Sequence, residues 1–223
     1  AIKAIKDASM IAYPVSVEGG RSIAAQIASE WISLDKKHLG LCFPMVRDPV
    51  VLRKAWNQAV QQLINAVQKE EKVVFISQGD TSLFSTAAYV LMELKKNYPQ
   101  YSVNVIPGVT SISAAAAISR FPLALQKEQL LVLSTPEEPE ILQQILLEAA
   151  SSDRVLALLK IGSRWKWMRP LLERMNLLES AVFAQKIGLA DQQIKFASEV
   201  SEGEKPYFSL LLLRQSWPKA LID

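Results

Sequence analysis

Residues 72–77, KVVFIS, form an unbroken apolar run between a charged cluster and the turn Gln78-Gly79-Asp80. A strand that is apolar on both faces has to be covered on both, the situation of a strand inside a parallel sheet flanked by helices. The unit recurs along the first half. Residues 10–13 (MIAY), 39–43 (LGLCF) and 102–106 (SVNVI) are short apolar runs closed by Pro14, Pro44 and Pro107. A proline at such a point ends the run because it disfavours regular continuation on either side. Each run leads through a loop into a segment of helical spacing. Ser22 caps a helix to about residue 32 after the loop 15–21, and Asp48 and Pro49 open a helix through Trp56, Val60, Leu63 and Val67. A helix over 82–97 follows the Gly79-Asp80 turn, and a helix of small residues over 111–119 follows Pro107-Gly108. Residues 1–10 have helical spacing but no N-cap in front of them, so the sequence opens on a helix already under way.

The pattern changes character near residue 122. Beyond it come a strand at 130–134, a proline-rich cap (TPEEPE), a helix over 140–150 and a buried strand at 155–159. A loop and helix over 164–175 and strands at 181–185 and 207–213 complete the chain. Alternating strands and helices predict an α/β fold. Two domains are expected, 1–121 and 122–223, with a mainly parallel sheet in the first and a mixed sheet in the second.

Composition removes several function classes. Of 223 residues, 50% are hydrophobic and 21% charged, and the net charge is only +3. No basic stripe interleaved with aromatic residues marks a nucleic-acid binder. The longest apolar runs, such as 210–213, fall far short of the ~20 residues of a membrane-spanning helix. No signal-peptide pattern opens the sequence. Cys42 is the only cysteine, so no disulfide forms within the chain and a reducing cytoplasm is expected. His38 is the only histidine and reads as a surface loop residue, which leaves neither a His/Cys metal site nor a Ser-His-Asp triad. Two local basic groups, Arg47 with Arg53 and Lys54, and Arg164 with Lys166 and Arg169, read either as solvated helix faces or as holders of a substrate rich in carboxylates.

Two motifs carry the chemistry. In ISQGDTSLFST, residues 76–86, a strand ends in a glycine that lets the backbone approach a ligand, an aspartate sits in the turn, and hydroxyls line the next helix start. An ordinary turn with Asp80 and Ser82 as caps accounts for the same residues. In VIPGVTSISAAAA, residues 105–117, Pro107-Gly108 sets a sharp exit from a strand, and Thr110 and Ser111 offer hydroxyls and amides at a helix start. The alanines keep that helix thin, for a bulky ligand or for close packing on a sheet.

At this spacing the two motifs resemble the tetrapyrrole methylase family, whose members carry a GD turn and then a strand ending in PG-[IV]-[ST]-S before an alanine-rich helix. DASMIAYPV, FPMVRDP, FPL, LLKIGSR and PYFSLLL extend the likeness over nearly the whole chain. FPM-RDP and LLKIGSR are similar to the branch that methylates precorrin-2 at C20. Members of the family open with a strand and a GxGPGD loop before the first helix, so further residues are expected ahead of Ala1, and others in the loop 15–21. Where the family has GDP, this sequence has Gly79-Asp80-Thr81.

The resemblance implies S-adenosylmethionine as cofactor, held without a GxGxxG fingerprint and released as S-adenosylhomocysteine. Carried over position by position, Gln78, Gly79, Asp80, Leu83, Phe84, Ser85, Thr110, Ser111, Ile161, Gly162 and Ala184 would line the cofactor. Asp80 is the candidate acceptor of the meso proton. Arg47, Arg53 and Arg164 would pair with substrate carboxylates, which planar guanidinium groups bind through two parallel bonds. The implied reaction is methylation of precorrin-2 at C20 to precorrin-3A in cobalamin biosynthesis. The alternatives are the same step on cobalt-factor II, or methylation at another ring position. A homodimer is implied, with no protein-bound metal, no nucleic acid and no membrane.

Overall fold

The structure, a computed structural model, describes residues 1–69 and 71–218, so the expected end of the second domain, 219–223, lies outside the described residues. Its contacts resolve two compact units, Ala1–Val109 and Thr110–Asp223.

The first unit contains α1 (Ile2–Asp7), β1 (Met10–Val15), α2 (Ile23–Ala28), β2 (Lys37–Cys42), α3 (Pro49–Gln68), β3 (Val73–Phe75) and α4 (Thr86–Asn97). The strands form a parallel sheet in the order β2-β1-β3. Successive side chains of a strand point to opposite faces. Accordingly Ile11 packs with Ile5, Ala8 and Ala28 around α1 and α2, and Ala12 packs with Val60, Leu63, Ile64 and Val90 of α3 and α4. Helices therefore cover both faces, as the apolar strand runs require. Asp48 caps α3 by accepting the Val50 N–H at 2.8 Å and the Val51 N–H at 3.3 Å, with Pro49 in the first turn.

Several local expectations change. β1 runs through Pro14 to Val15 instead of ending at Tyr13. Backbone groups of Ser9 and Val15 bond toward β2, whereas Met10 and Ala12 bond toward β3. Pro14 therefore presents its missing N–H on the β3 side, beyond the last paired residue, Ala12. The helix expected from residue 82 begins at Thr86, because Ser85 is its cap and Asp80 to Ser82 form a side-chain-bonded turn. His38 lies within β2, edge-on to the Tyr13 ring, and not in a loop. Residues 102–106, expected as a strand, form none. β3 is three residues long and pairs only with β1 among the described residues, so an apolar alternation exists there without a ladder. Val103 and Val105 are exposed as a result.

The second unit contains α5 (Ser111–Ser119), β4 (Gln129–Ser134), α6 (Pro139–Ser151), β5 (Arg154–Leu159), α7 (Trp165–Arg174), β6 (Ala181–Gln185), β7 (Gln193–Phe196) and β8 (Ser209–Leu213). The sheet order is β4-β5-β8-β6-β7, with β4 and β5 parallel and the other pairs antiparallel. On one face Leu156, Leu158, Phe183 and Leu211 meet α6 and α7. On the other, Ala157, Val182, Ala184 and Leu212 meet Ile112, Ala115 and Ala116 of α5. That contact explains why the units divide after Val109, whereas the expected boundary at 121/122 placed α5 in the first domain. Arg214, just after β8, is buried in an ion pair with Glu128 and donates to the Pro122 carbonyl at 2.8 Å. It ties the segment before β4 to the centre of the sheet.

Candidate functional site

All three strands of the first unit run the same way, so the loops after β1, β2 and β3 share one edge of the sheet. Ligands of α/β proteins bind at that edge. The loop after β3 carries the Gly79-Asp80 turn. Gly79 holds φ at +71°, a left-handed conformation that costs glycine nothing. Asp80 Oδ1 accepts the Ser82 N–H at 2.8 Å and the Ser82 hydroxyl, and its Oδ2 accepts the Gly108 N–H at 3.1 Å. A Cβ on Gly108 would lie 2.2 Å from the Gly79 carbonyl oxygen, so the two turns pack backbone against backbone. The two sequence motifs are thus one structure, stitched by Asp80.

This bonding bears on the expected role of Asp80. The Ser82 hydroxyl first, and then the Ser82 and Gly108 N–H groups, hold its carboxyl below the ordinary carboxylate range. Hydrogen bonds that favour the charged form make a carboxylate a weaker base. Gln78 and Gly79 are exposed beside it, as are Leu83 and Phe84, and Phe84 has φ +50°. Ser85 points inward instead, capping α4 through the Ala87 N–H at 3.2 Å. The Ser77 hydroxyl is buried with no hydrogen-bond partner among the described residues.

Arg47 is exposed in the loop after β2, immediately before the α3 cap. Arg53 is exposed one turn into α3, where its Nε donates to the Pro49 carbonyl at 3.3 Å. Both stand near the same sheet edge.

In the second unit, Thr110 caps α5 by accepting the Ser113 N–H at 3.0 Å, and Ser111 is exposed in the first turn. The first N–H groups of a helix have no intrahelical acceptor. The loop after β5 is more committed than its sequence suggests. Ile161 is fully buried, its N–H bonds the Ser209 carbonyl at 3.2 Å, and its carbonyl accepts from Arg164 at 3.0 Å. Gly162, at φ +54°, donates its N–H to the Ser209 hydroxyl at 3.2 Å. Ala184 is fully buried under α5. Arg164 is not a free carboxylate partner. It donates to Glu137 at 2.6 Å and to the Lys160 carbonyl at 2.9 Å, joining the loop after β5 to the loop after β4. Lys166 pairs with Glu204, and Arg169 with Glu173 and Glu202.

Ser82 was read as a turn cap and is one, whereas Ser209 and Glu137 are residues that sequence reasoning left out. A hydroxyl just ahead of a fully apolar strand, as in PYFSLLL, is the signal that could have found Ser209. Among the described residues no group of His, Cys, Asp or Glu gathers in a form that holds a metal ion, and no helix is long and apolar enough to cross a membrane.

The comparisons with known proteins agree with this arrangement. The family model for tetrapyrrole (corrin/porphyrin) methylases matches residues 1–201. The chain is 32% identical to the cobalt-precorrin-2 C(20)-methyltransferase of Salmonella typhimurium, over 93% of the chain and 85% of that protein. It is 33% identical to a probable cobalt-precorrin-2 C(20)-methyltransferase of Methanocaldococcus jannaschii over 63% of the chain and 58% of that protein. The precorrin-2 C(20)-methyltransferase of a Sinorhizobium species is 23% identical over 96% of the chain and 87% of that protein. Among solved structures, cobalt precorrin-4 methyltransferase CbiF shares the fold with a TM-score of 0.65 at 17% identity, covering 96% of the chain and 86% of its own. The uroporphyrin-III C-methyltransferase of Thermus thermophilus, complexed with S-adenosylhomocysteine, does so with a TM-score of 0.58 at 16% identity, covering 96% and 89%. The glycine-aspartate turn, the Pro107-Gly108 turn bonded to it and the match over residues 1–201 lead to one assignment: the chain belongs to the tetrapyrrole (corrin/porphyrin) methylases.

Proposed function

We propose that this protein transfers a methyl group from S-adenosylmethionine to C20 of a precorrin-2 ring, with the cobalt-loaded ring as preferred substrate. The observation that carries the reading is the 32% identity to a cobalt-precorrin-2 C(20)-methyltransferase over 85% of that protein's length, against 23% to the relative named for metal-free precorrin-2. The reading departs from the sequence expectation in placing the cobalt form first. A cytoplasmic location and a homodimer belong to the same proposal.

The residues present fit the cofactor. A ligand can reach the Gly79 backbone, because only the Val109 carbonyl oxygen, at 3.8 Å, lies near its vacant Cβ position. Leu83 and Phe84 offer exposed apolar surface in the same loop, and in the second unit the start of α5 offers the Ser111 hydroxyl and first-turn N–H groups to a carboxylate or hydroxyl. Gln78, Gly79, Leu83, Phe84, Thr110 and Ser111 are the proposed contacts. Ser85 is retained as a supporting residue in the first unit, and Ile161, Gly162 and Ala184 are retained as buried supporting residues in the second. S-adenosylmethionine supplies a methyl group already activated on a cationic sulfur. The protein's part is therefore alignment of the reacting atoms at near-attack distance, which is worth several orders of magnitude in rate. Asp80 serves that alignment by fixing the two turns. Arg47 and Arg53 are proposed to bind carboxylates at the rim of the first unit.

The test is incubation of the protein with S-adenosylmethionine and either metal-free or cobalt-loaded precorrin-2, followed by mass spectrometry and NMR of the ring. One added methyl at C20, formed faster on the cobalt ring, is expected. Faster turnover of the metal-free ring would reverse the substrate preference, and a methyl at another carbon would overturn the assignment.

A further inference from the structure

α3 is 20 residues long, yet its buried residues, Ala59, Val60, Leu63, Ile64 and Ala66, all lie in its second half. None of residues 49–58 is buried. At 1.5 Å per residue this first half extends about 15 Å. It follows the loop after β2, so it begins at the sheet edge that also carries the loops after β1 and β3. The exposed half is nonetheless held at both ends. Asp48 caps its start, and the Trp56 ring stacks on Tyr89 of α4 with centroids 4.3 Å apart and an interplanar angle of 10°.

This overhang is not polar. Val50 and Val51 in its first turn are exposed, as are Met45 and Val46 in the loop before it, Met45 by 76% and Val50 by 68%. A single exposed apolar residue is ordinary, but four within seven residues make a patch. Arg53 and Lys54, both exposed, follow in the next turn. Residues three and four apart share a helix face, so Val50 shares one with Arg53 and Lys54, and Val51 shares one with Lys54.

We infer that the overhang is a shelf for the face of the substrate ring, with Met45, Val46, Val50 and Val51 against the ring and Arg53 and Lys54 at its border. The inference rests on the proposed function and extends it from the ring's carboxylates to its flat surface. A tetrapyrrole is apolar across its face and anionic around its edge. An apolar patch bordered by cations one helical turn away, about 5.4 Å, complements it in both respects. A small polar ligand would leave the four apolar side chains in water. A second copy docking by the same face would set cations against cations. Contact with the face also does what carboxylate pairing alone does not: it fixes the plane of the ring at the edge where the Gly79-Asp80 turn stands.

Steady-state kinetics on cobalt-loaded precorrin-2 tests the shelf through the triple variant Met45→Gln, Val50→Thr, Val51→Thr. Each replacement keeps the approximate shape of the side chain and removes apolar surface, and at exposed positions such changes alter stability little. KM for the ring is expected to rise roughly tenfold or more, given what burial of apolar side chains contributes. Melting temperature and S-adenosylhomocysteine affinity should hold, and most of the loss should fall in KM. Raising the ionic strength should leave this loss in place, whereas the smaller loss in Lys54→Gln should shrink as its charge is screened. Met45→Leu, which keeps the apolar surface, should behave as the natural protein. Should the triple variant fold poorly, Val50→Thr alone carries the test, with a rise in KM of several-fold. An unchanged KM in a folded variant, while the natural protein methylates C20, would overturn the shelf and leave the proposed function standing. No C20 methylation by the natural protein would remove both. A change in sedimentation with KM unchanged would mean that a second copy covers the patch, and the inference falls.

Discussion

The carboxylate of Asp80 bonds the backbone N–H of Gly108 across 28 residues of sequence, and so joins the turn after β3 to the turn before α5. The same carboxylate closes its own turn through Ser82. A residue placed this way acts on both halves of the motif at once. Asp80→Asn keeps the shape of the side chain but can present only one acceptor oxygen. It is expected to lower S-adenosylhomocysteine affinity roughly tenfold or more, since small displacements of positioning groups have effects of that order. Titration calorimetry reads it. An unchanged affinity would mean that the Gly108 bond plays no part in shaping the site.

The same residue predicts a pH dependence. Its carboxyl is held below the ordinary range in the folded protein, so it adds stability above the unfolded pKa of about 4. That contribution is lost as pH falls through the lower folded value. The difference in melting temperature between the natural protein and Asp80→Asn is therefore expected to be full at pH 6–7 and to shrink below about pH 4. A difference that stayed constant from pH 7 to pH 3 would place the effect of the substitution elsewhere.

Gly79 and Gly108 differ in what they forbid, and two alanine variants separate the causes. At Gly79 the obstacle is φ of +71°, worth about 1–2 kcal/mol for a residue with a Cβ, since the nearest atom stands 3.8 Å away. At Gly108 the obstacle is collision with the Gly79 carbonyl. Gly108→Ala must push the turns apart, and is expected to cost more than Gly79→Ala in urea denaturation and to abolish cofactor binding. If the two variants behave alike, the turns are not packed as described.

Arg214 and Glu128 form a pair whose side chains are 2% and 7% exposed. Removing one partner leaves the other charge buried, and Arg214→Ala is expected to destabilise the protein by about 3–5 kcal/mol. The guanidinium also stacks 4.6 Å from the centre of the Trp217 ring, so packing is lost along with charge. The double variant Arg214→Met, Glu128→Leu should recover most of the loss, because a matched apolar pair leaves no charge unpaired. Chemical denaturation of the three forms measures this. A loss under 1 kcal/mol in the alanine variant would show that water reaches the pair.

Much of this was legible in sequence, for reasons that also mark where legibility stops. The strands in KVVFIS and LLLL are built on apolar runs, and packing against helices on both faces makes them so. β7, the strand QIKF, was missed because an edge strand with mostly solvated side chains carries no such run. The run 102–106 misled in the opposite sense, since a strand needs a partner as well as a pattern. Both turns of the site could be read from glycine, proline and aspartate, whose conformational limits are local. The Asp80–Gly108 bond and the capture of Arg164 by Glu137 could not, because the sheets bring together loops that sequence leaves far apart.

With Arg164 engaged by Glu137, the reading of substrate recognition rests on the first unit. Arg47 is exposed in the loop between β2 and the Asp48 cap, at the sheet edge that also carries Gly79 and Asp80. A substrate ring with carboxylates around its rim would meet such a guanidinium through charge-assisted bonds. Arg47→Ala is expected to leave stability within about 0.5 kcal/mol, as for other surface positions. Affinity for S-adenosylhomocysteine should also hold, because the reading assigns Arg47 to the tetrapyrrole and not to the cofactor. The loss should fall on the tetrapyrrole, with kcat/KM down about ten- to a hundred-fold and most of it in KM. Arg47→Lys should recover only part of that, since an ammonium cannot make the two-pronged contact. Raising the ionic strength should shrink the difference between the natural protein and Arg47→Ala, as screening weakens an exposed charge pair. Steady-state kinetics at low and high salt measures all of these, and normal tetrapyrrole kinetics for Arg47→Ala at low salt would remove Arg47 from the substrate site and leave Arg53 to be tested in its place.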